Sequence, residues 1–124
     1  MKVLAIIEDD PDLRLLIKLT LKAEPSFEVI GEAASAEEAL ELLRKTHSGV
    51  VGLIILDHSL DGELTGLDAA PKLKILAPQA KIILFTAYDH LRAQALAESA
   101  IDAFLLKTNI AELLPLARKV AGIT

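Results

Sequence analysis

Short apolar runs alternating with stretches of helical period constrain this chain more than any other feature. Val3 to Ile7, Phe27 to Ala33, Leu53 to Leu56, Lys81 to Phe85 and Ala103 to Leu106 are each about four to seven residues long, right for strands and too short for typical helices. The segments between them carry helix signals, so the pattern is one of successive βαβ units rather than of a bundle or a sandwich. At 124 residues the chain suits one domain with one core. Hydrophobic residues make up 52% of it but aromatics only 3%, and branched aliphatics of that kind suit a parallel sheet covered on both faces by helices.

The helices have readable starts. Asp10-Pro11 predicts an N-cap and first residue, followed by an apolar stripe of Leu13, Leu16, Ile17 and Leu21. Ser35-Ala36-Glu37-Glu38 reads as a capping box for a second helix, with Ala36, Ala39, Leu40 and Leu43 on one face. Asp68 is expected to cap a third helix, which puts Pro71 at its third residue, where proline removes no hydrogen bond. A fourth runs from about Asp89 to Glu98 over Leu91, Ala95, Leu96 and Ala100. Asn109 with Glu112 starts the last, and Gly122 closes it.

Right-handed crossovers between parallel strands put every strand's carboxyl end on one edge, where open α/β sheets bind ligands. Four of the runs end there on a polar group: Glu8-Asp9-Asp10, Asp57, Thr86 and Lys107. Strands lie about 4.8 Å apart, so adjacent first and third strands would bring Glu8 and Asp9 close to Asp57. Carboxylates that close need a shared proton or a cation, and a small site of hard oxygens favours Mg2+ (or Mn2+). With the metal bound, Asp57 can act as a nucleophile towards a phosphoryl group, Thr86 can hydrogen-bond a phosphoryl oxygen, and Lys107 can pair with another. Singly, each residue has a plainer reading. The acidic triplet is also what a helix N-terminus attracts, Asp57 a loop starter, Thr86 a strand-end hydroxyl and Lys107 a solvated amine. For Asp10 the cap is the better reading. Jointly, four strand ends supply one complementary set.

Those residues resemble the receiver domain of bacterial two-component response regulators over essentially the whole chain. Ile6-Ile7-Glu8-Asp9-Asp10-Pro11 is similar to the acidic-pair motif, and Ile55-Leu56-Asp57-His58-Ser59-Leu60 to the motif carrying the phospho-acceptor. Leu84-Phe85-Thr86-Ala87-Tyr88 resembles the switch threonine and the small residue after it, and Phe104-Leu105-Leu106-Lys107 the switch aromatic and the lysine. The resemblance implies a flavodoxin-like (βα)5 fold, a doubly wound five-stranded parallel sheet in the order 2-1-3-4-5 with helices on both faces, and a single receiver domain over residues 1–124. It implies Asp57 as phospho-acceptor, Glu8, Asp9, Asp57 and the Ser59 carbonyl as metal ligands, and Thr86, Ala87, Lys107 and Phe104 as phosphate-binding and switch residues. Phe104 also reads as an ordinary core aromatic. The chemistry implied is that of a signalling switch rather than an enzyme, limited to self-phosphorylation and autodephosphorylation at Asp57.

Partners follow from the same resemblance: a sensor histidine kinase, a phosphotransfer protein or acetyl phosphate as donor, a downstream protein or output domain, and a phosphorylation-dependent homodimer. Phe27 to Ala33 is similar to the second strand of receivers that carry a helix-turn-helix output domain, which would lie beyond Thr124; the chain is then a stand-alone receiver or part of a longer transcriptional regulator. A pseudo-receiver binding module would lack part of the acidic set, which is complete here. A haloacid-dehalogenase-like phosphatase needs an Asp-x-Asp signature after the first strand, and none is present. Direct nucleic-acid binding is not expected at a net charge of -5 with scattered Lys and Arg. The longest apolar stretch, Val50 to Leu56, is too short to span a bilayer, and the absence of cysteine fits a reducing, cytoplasmic setting. His47, His58 and His90 have no metal-ligand spacing.

Two positions depart from the family pattern. Thr108 follows the lysine where the family usually has proline, and a non-proline cis bond costs about 2.5 to 4 kcal/mol. The loop from Asp61 to Gly66 lacks the usual proline at 61 and runs one residue longer, with Asp61 and Glu63 adding negative charge near the site.

Overall fold

Five parallel strands form one sheet in the order β2-β1-β3-β4-β5, in a computed structural model that describes residues 2–45 and 50–123. The strands are β1 (Lys2–Ile7), β2 (Phe27–Ala33), β3 (Val51–Leu56), β4 (Lys81–Thr86) and β5 (Ala103–Leu106). Between them run α1 (Pro11–Leu21), α2 (Ala36–Lys45), α3 (Gly66–Leu76) and α4 (Arg92–Ala97), and α5 (Leu113–Val120) follows β5. This is the flavodoxin-like arrangement expected from the sequence. Every strand falls on its predicted run, with β3 beginning two residues earlier.

Strand alternation divides the aliphatic core in two. Leu4, Ile6, Leu53, Ile55, Ile83 and Phe85 pack with Ile17 and Leu21 of α1 and with Leu113 and Ala117 of α5. The intervening residues Ala5, Ile7, Ile54, Leu56, Ile82 and Leu84 face the other way, onto Leu40 and Leu43 of α2, Leu73 of α3 and Ala95 of α4. Central strands covered on both faces need apolar residues at every position, which is why β1, β3 and β4 read as continuous runs.

Helix ends show where tertiary packing overrode local signals. Asp10 caps α1 as expected, its Oδ1 accepting from the N–H groups of Asp12 and Leu13 at 3.0 and 3.4 Å, with Pro11 as first residue. The buried stripe of α1 is Ile17 and Leu21, with Leu13 half-buried; Leu16, predicted on it, is 47% exposed because it lies a helical step of about 100° from Ile17. Ser35 Oγ accepts from the Glu38 N–H at 3.0 Å, but the Glu38 carboxylate reaches back to the Ala34 N–H, so half of the expected capping box forms.

The cap of α3 is Thr65, not Asp68. Thr65 Oγ1 accepts from the Asp68 N–H and the Asp68 carboxylate accepts from the Thr65 N–H, a complete capping box one turn earlier than predicted. Pro71 therefore falls at the sixth residue, inside the helix, where the Leu67 carbonyl loses its usual partner. Before α4, Asp89–Leu91 forms a short 3-10 turn, and Leu96 is 70% exposed rather than on the core face. Asn109 does not cap the last helix. Its backbone is non-helical (φ -102°, ψ 37°), Lys107–Glu112 turns as 3-10 helix, and α5 starts only at Leu113. Gly122 does close α5: its N–H bonds the Lys119 carbonyl at 3.1 Å while the Ile123 N–H bonds that of Arg118 at 2.8 Å. No cis peptide occurs among the described residues, Lys107-Thr108 included. No described helix is long and apolar enough to cross a membrane.

Candidate functional site

The sheet ladder continues past the strands and places the acidic residues. The Asp57 N–H bonds the Ile7 carbonyl at 3.0 Å, and the Glu8 N–H bonds that of Ala33 at 2.9 Å. Since Ile7 pairs with Leu56, Glu8 and Asp57 leave adjacent strands at the same level. Glu8 and Asp57 are buried and Asp9 half-buried, and the three offer carboxylate oxygens all within 4.8 Å of one another.

Lys107 reaches this cluster from the end of β5. Its Nζ lies 2.7 Å from Asp57 Oδ2 and 2.8 Å from Glu8 Oε1. Asp57 Oδ1 accepts from the His58 N–H at 2.7 Å, and Glu8 Oε2 from the Asp10 N–H at 3.0 Å. Glu8 Oε1 is the exception: the ammonium is near, but the alignment is not that of a hydrogen bond, so this buried oxygen has charge contact and no hydrogen-bond donor.

One ammonium does not balance three carboxylates in so small a space. Burial is the main force that raises the Glu8 pKa from 4.5 to about 7; Lys107 and the Asp10 N–H oppose it, while Asp57 and Asp9 add to it. Burial works against the Lys107 charge as well, but contact with Asp57 and Glu8 outweighs it and raises the Lys107 pKa. The clustered hard donors and the surplus negative charge together fit a small divalent cation.

The remaining predicted residues sit around this centre without joining its contacts. Thr86, fully buried at the end of β4, accepts from the Tyr88 N–H through Oγ1 at 3.4 Å; Ala87 next to it is exposed. Phe104 pairs in register with Leu84 and is half-buried, with the Arg92 guanidinium 4.7 Å above its ring centroid. Ser59 is exposed in the turn after Asp57. His58 Nδ1 is buried without a partner; burial lowers the His58 pKa, with Asp57 and Asp68 opposing and His90 adding to the shift. Among the described residues Glu8, Asp9 and Asp57 form the one acidic group placed so that it could hold a metal ion, and neither His58 nor His90 joins it; His47 lies outside the described residues.

Three contributors carry no sequence signal of this role. Arg14, on α1, donates from Nη1 to the Glu8 carbonyl at 2.7 Å and holds the acidic turn against the helix. Gly66 packs so closely that a Cβ there would lie 2.1 Å from the Asp57 carbonyl oxygen, while its N–H bonds the His58 carbonyl at 2.9 Å. Glu37, on α2, binds the loop between β3 and α3 through the Glu63 and Leu64 N–H groups.

Residues 4–118 match the sequence model of the response regulator receiver domain. This chain belongs to that family. Among relatives of the receiver domain, the response regulator protein VraR of Staphylococcus aureus (strain NCTC 8325 / PS 47) is 29% identical over 107 residues, covering 86% of this chain and 49% of that protein. VraR of Staphylococcus saprophyticus is 31% identical over 107 residues, covering 85% and 49%. The chain thus spans about half the length of these relatives. The solved response regulator TrrA from Thermotoga maritima, in complex with Mg2+-BeF, is 36% identical with a TM-score of 0.79, covering 97% of this chain and 99% of that one. A DNA-binding response regulator of the LuxR family from Staphylococcus aureus gives a TM-score of 0.84 at 25% identity, covering 98% and 99%. As a receiver domain, the chain is a component of two-component signalling.

Proposed function

We propose that the chain is a single receiver domain over residues 1–124 whose switch is phosphorylation of Asp57, with Mg2+ (or Mn2+) held by Glu8, Asp9, Asp57 and the Ser59 carbonyl. The observation that carries this reading is the Lys107 ammonium in contact with both Asp57 and Glu8 at the rim of the sheet. An Asp57 oxygen attacks phosphorus while the bond from phosphorus to the donor breaks, and the donor leaves with the electron pair. The donor is the phosphohistidine of a sensor kinase or phosphotransfer protein, or acetyl phosphate. A divalent cation held by Glu8, Asp9 and Asp57 would supply charge neutralisation for the phosphoryl oxygens. Lys107, already beside Asp57 Oδ2, pairs with one phosphoryl oxygen, and the Thr86 hydroxyl turns from the Tyr88 N–H to bond another. Ala87, with no bulk beyond Cβ, leaves the group accessible.

The new group adds about -1.5 to -2 charges and strong acceptor oxygens. Thr86 moving towards it frees space for Phe104 to turn inward, which changes the surface of α4, β5 and α5. That surface meets a downstream protein, an output domain or a second copy of the chain. The setting is the cytoplasm, and the chemistry ends with self-phosphorylation and autodephosphorylation at Asp57.

Intact-mass measurement after incubation with acetyl phosphate and Mg2+ tests this. Wild type should gain one phosphoryl adduct and Asp57→Asn none. An adduct independent of Asp57 sinks the acceptor assignment, and an adduct formed equally well in EDTA sinks the metal assignment.

A further inference from the structure

We propose that Glu37 is a positioning residue for the metal site: from α2 it holds the loop after Asp57, and through that loop it orients the Ser59 carbonyl. The inference rests on the metal role proposed for that carbonyl. Glu37 Oε2 accepts from the N–H groups of Glu63 and Leu64 at 3.2 and 3.3 Å, contacts spanning 26 and 27 residues of sequence. Two donors converging on one carboxylate oxygen form charge-assisted bonds, stronger than neutral ones. Gly62 makes room for the carboxylate. Its φ is +86°, and a Cβ there would lie 2.5 Å from Glu37 Oε1.

Other contacts anchor the loop on either side. The Asp61 N–H bonds the Ala34 carbonyl at 3.3 Å, and Ser35 and Asp61 form an isolated parallel bridge, so the apex is stitched to the start of α2. At the far end the Gly66 N–H bonds the His58 carbonyl at 2.9 Å, with Gly66 pressed against the Asp57 backbone. Ser59 sits between these anchors. Glu37 keeps its charge at neutral pH: its own helical N–H is the main influence lowering its pKa, the small loss of solvation at this exposed position opposes, and the Glu63 and Leu64 N–H groups assist. A loop one residue longer than the family usually has gains a fixed shape from this carboxylate.

Mg2+ affinity by amide chemical-shift titration, paired with thermal melting in EDTA, tests the assignment in wild type, Glu37→Ala, Glu37→Gln, Glu41→Gln and Asp9→Asn. Outer contacts that orient metal ligands are worth 10- to 100-fold in affinity, so Glu37→Ala should bind Mg2+ roughly tenfold more weakly. Glu37→Gln, whose carbonyl can still accept, should lose less, and Glu41→Gln, on the same helix away from the loop, should bind as wild type. Wild-type affinity in Glu37→Ala, or a lowered melting temperature with unchanged affinity, overturns the inference. An equal loss in Glu41→Gln also overturns it, since helix charge alone would then explain the effect. If Asp9→Asn binds as tightly as wild type, the metal reading itself fails and the inference falls with it.

Discussion

The two halves of the sheet's carboxyl edge are built differently. Around β1 and β3, Leu4, Ile6, Ile7 and Leu53 to Leu56 are at most 1% exposed, and Glu8, Asp57 and Lys107 already touch. Around α4 and β5 the holding is lighter. All four β5 residues are half-buried, α4 is six residues long without a side-chain cap, and Phe104 is covered by an arginine that is itself half exposed. Chemistry on charge needs polar groups fixed beforehand, whereas a segment that must rearrange has to come from the less stable part of the structure. The split matches the transfer proposed at Asp57 on one side and the response proposed through Phe104 on the other.

That contrast can be broken by substitution. Gly66→Ala strikes the rigid half hardest, since its Cβ would meet the Asp57 backbone and no side chain can give way. It should cost about 3 kcal/mol in urea unfolding; a cost below about 1 kcal/mol would mean that this edge is softer than it looks.

Glu8 gives a pH-dependent test of somewhat smaller size. With a folded-state pKa near 7 against an ordinary 4.5, the folded protein keeps a proton at Glu8 that the unfolded chain has already released between those values. Metal-free stability therefore falls as pH rises through this window and levels off above it. Glu8→Gln escapes that loss, so its advantage over wild type in EDTA should grow by about 2 kcal/mol between pH 5 and pH 8. Mg2+ should stabilise wild type more at pH 8 than at pH 5, where Glu8 is protonated. A pH-independent difference between the two proteins would show that Glu8 is not under the strain of burial.

On the α4 and β5 side, Arg92→Ala removes the cation above Phe104 and should cost only about 0.5 to 1 kcal/mol. Side-chain NMR should show the Phe104 ring populating a second rotamer. A cost near that of Gly66→Ala, or an unchanged ring, would erase the difference between the halves.

The sheet and the polar strand ends were legible because both are short-range patterns. A strand buried on both faces must be apolar throughout, and the first polar residue after it marks the rim; Asp57 and Lys107 were found that way. Asp10-Pro11 was equally local. Two other caps were not settled so simply: Asp68 lost to Thr65 because Gly66 docks on the Asp57 backbone and starts α3 earlier, and Asn109 lost to a 3-10 turn following Lys107. Leu16 and Leu96 are as apolar as their buried neighbours, and only the rotation of each helix against the sheet left them in solvent.

By itself, then, the amino-acid order determined the βα alternation, the parallel sheet and the residues delivered to its rim, because burial and strand period act within a few residues. Tertiary structure alone decided that Lys107 touches both Glu8 and Asp57, that Arg14 braces the acidic turn, that Glu37 grips the loop at Gly62, and that Arg92 covers Phe104. Most of these contacts join different elements, some across tens of residues, and each depends on distances of a few ångströms that exist only once the sheet has assembled.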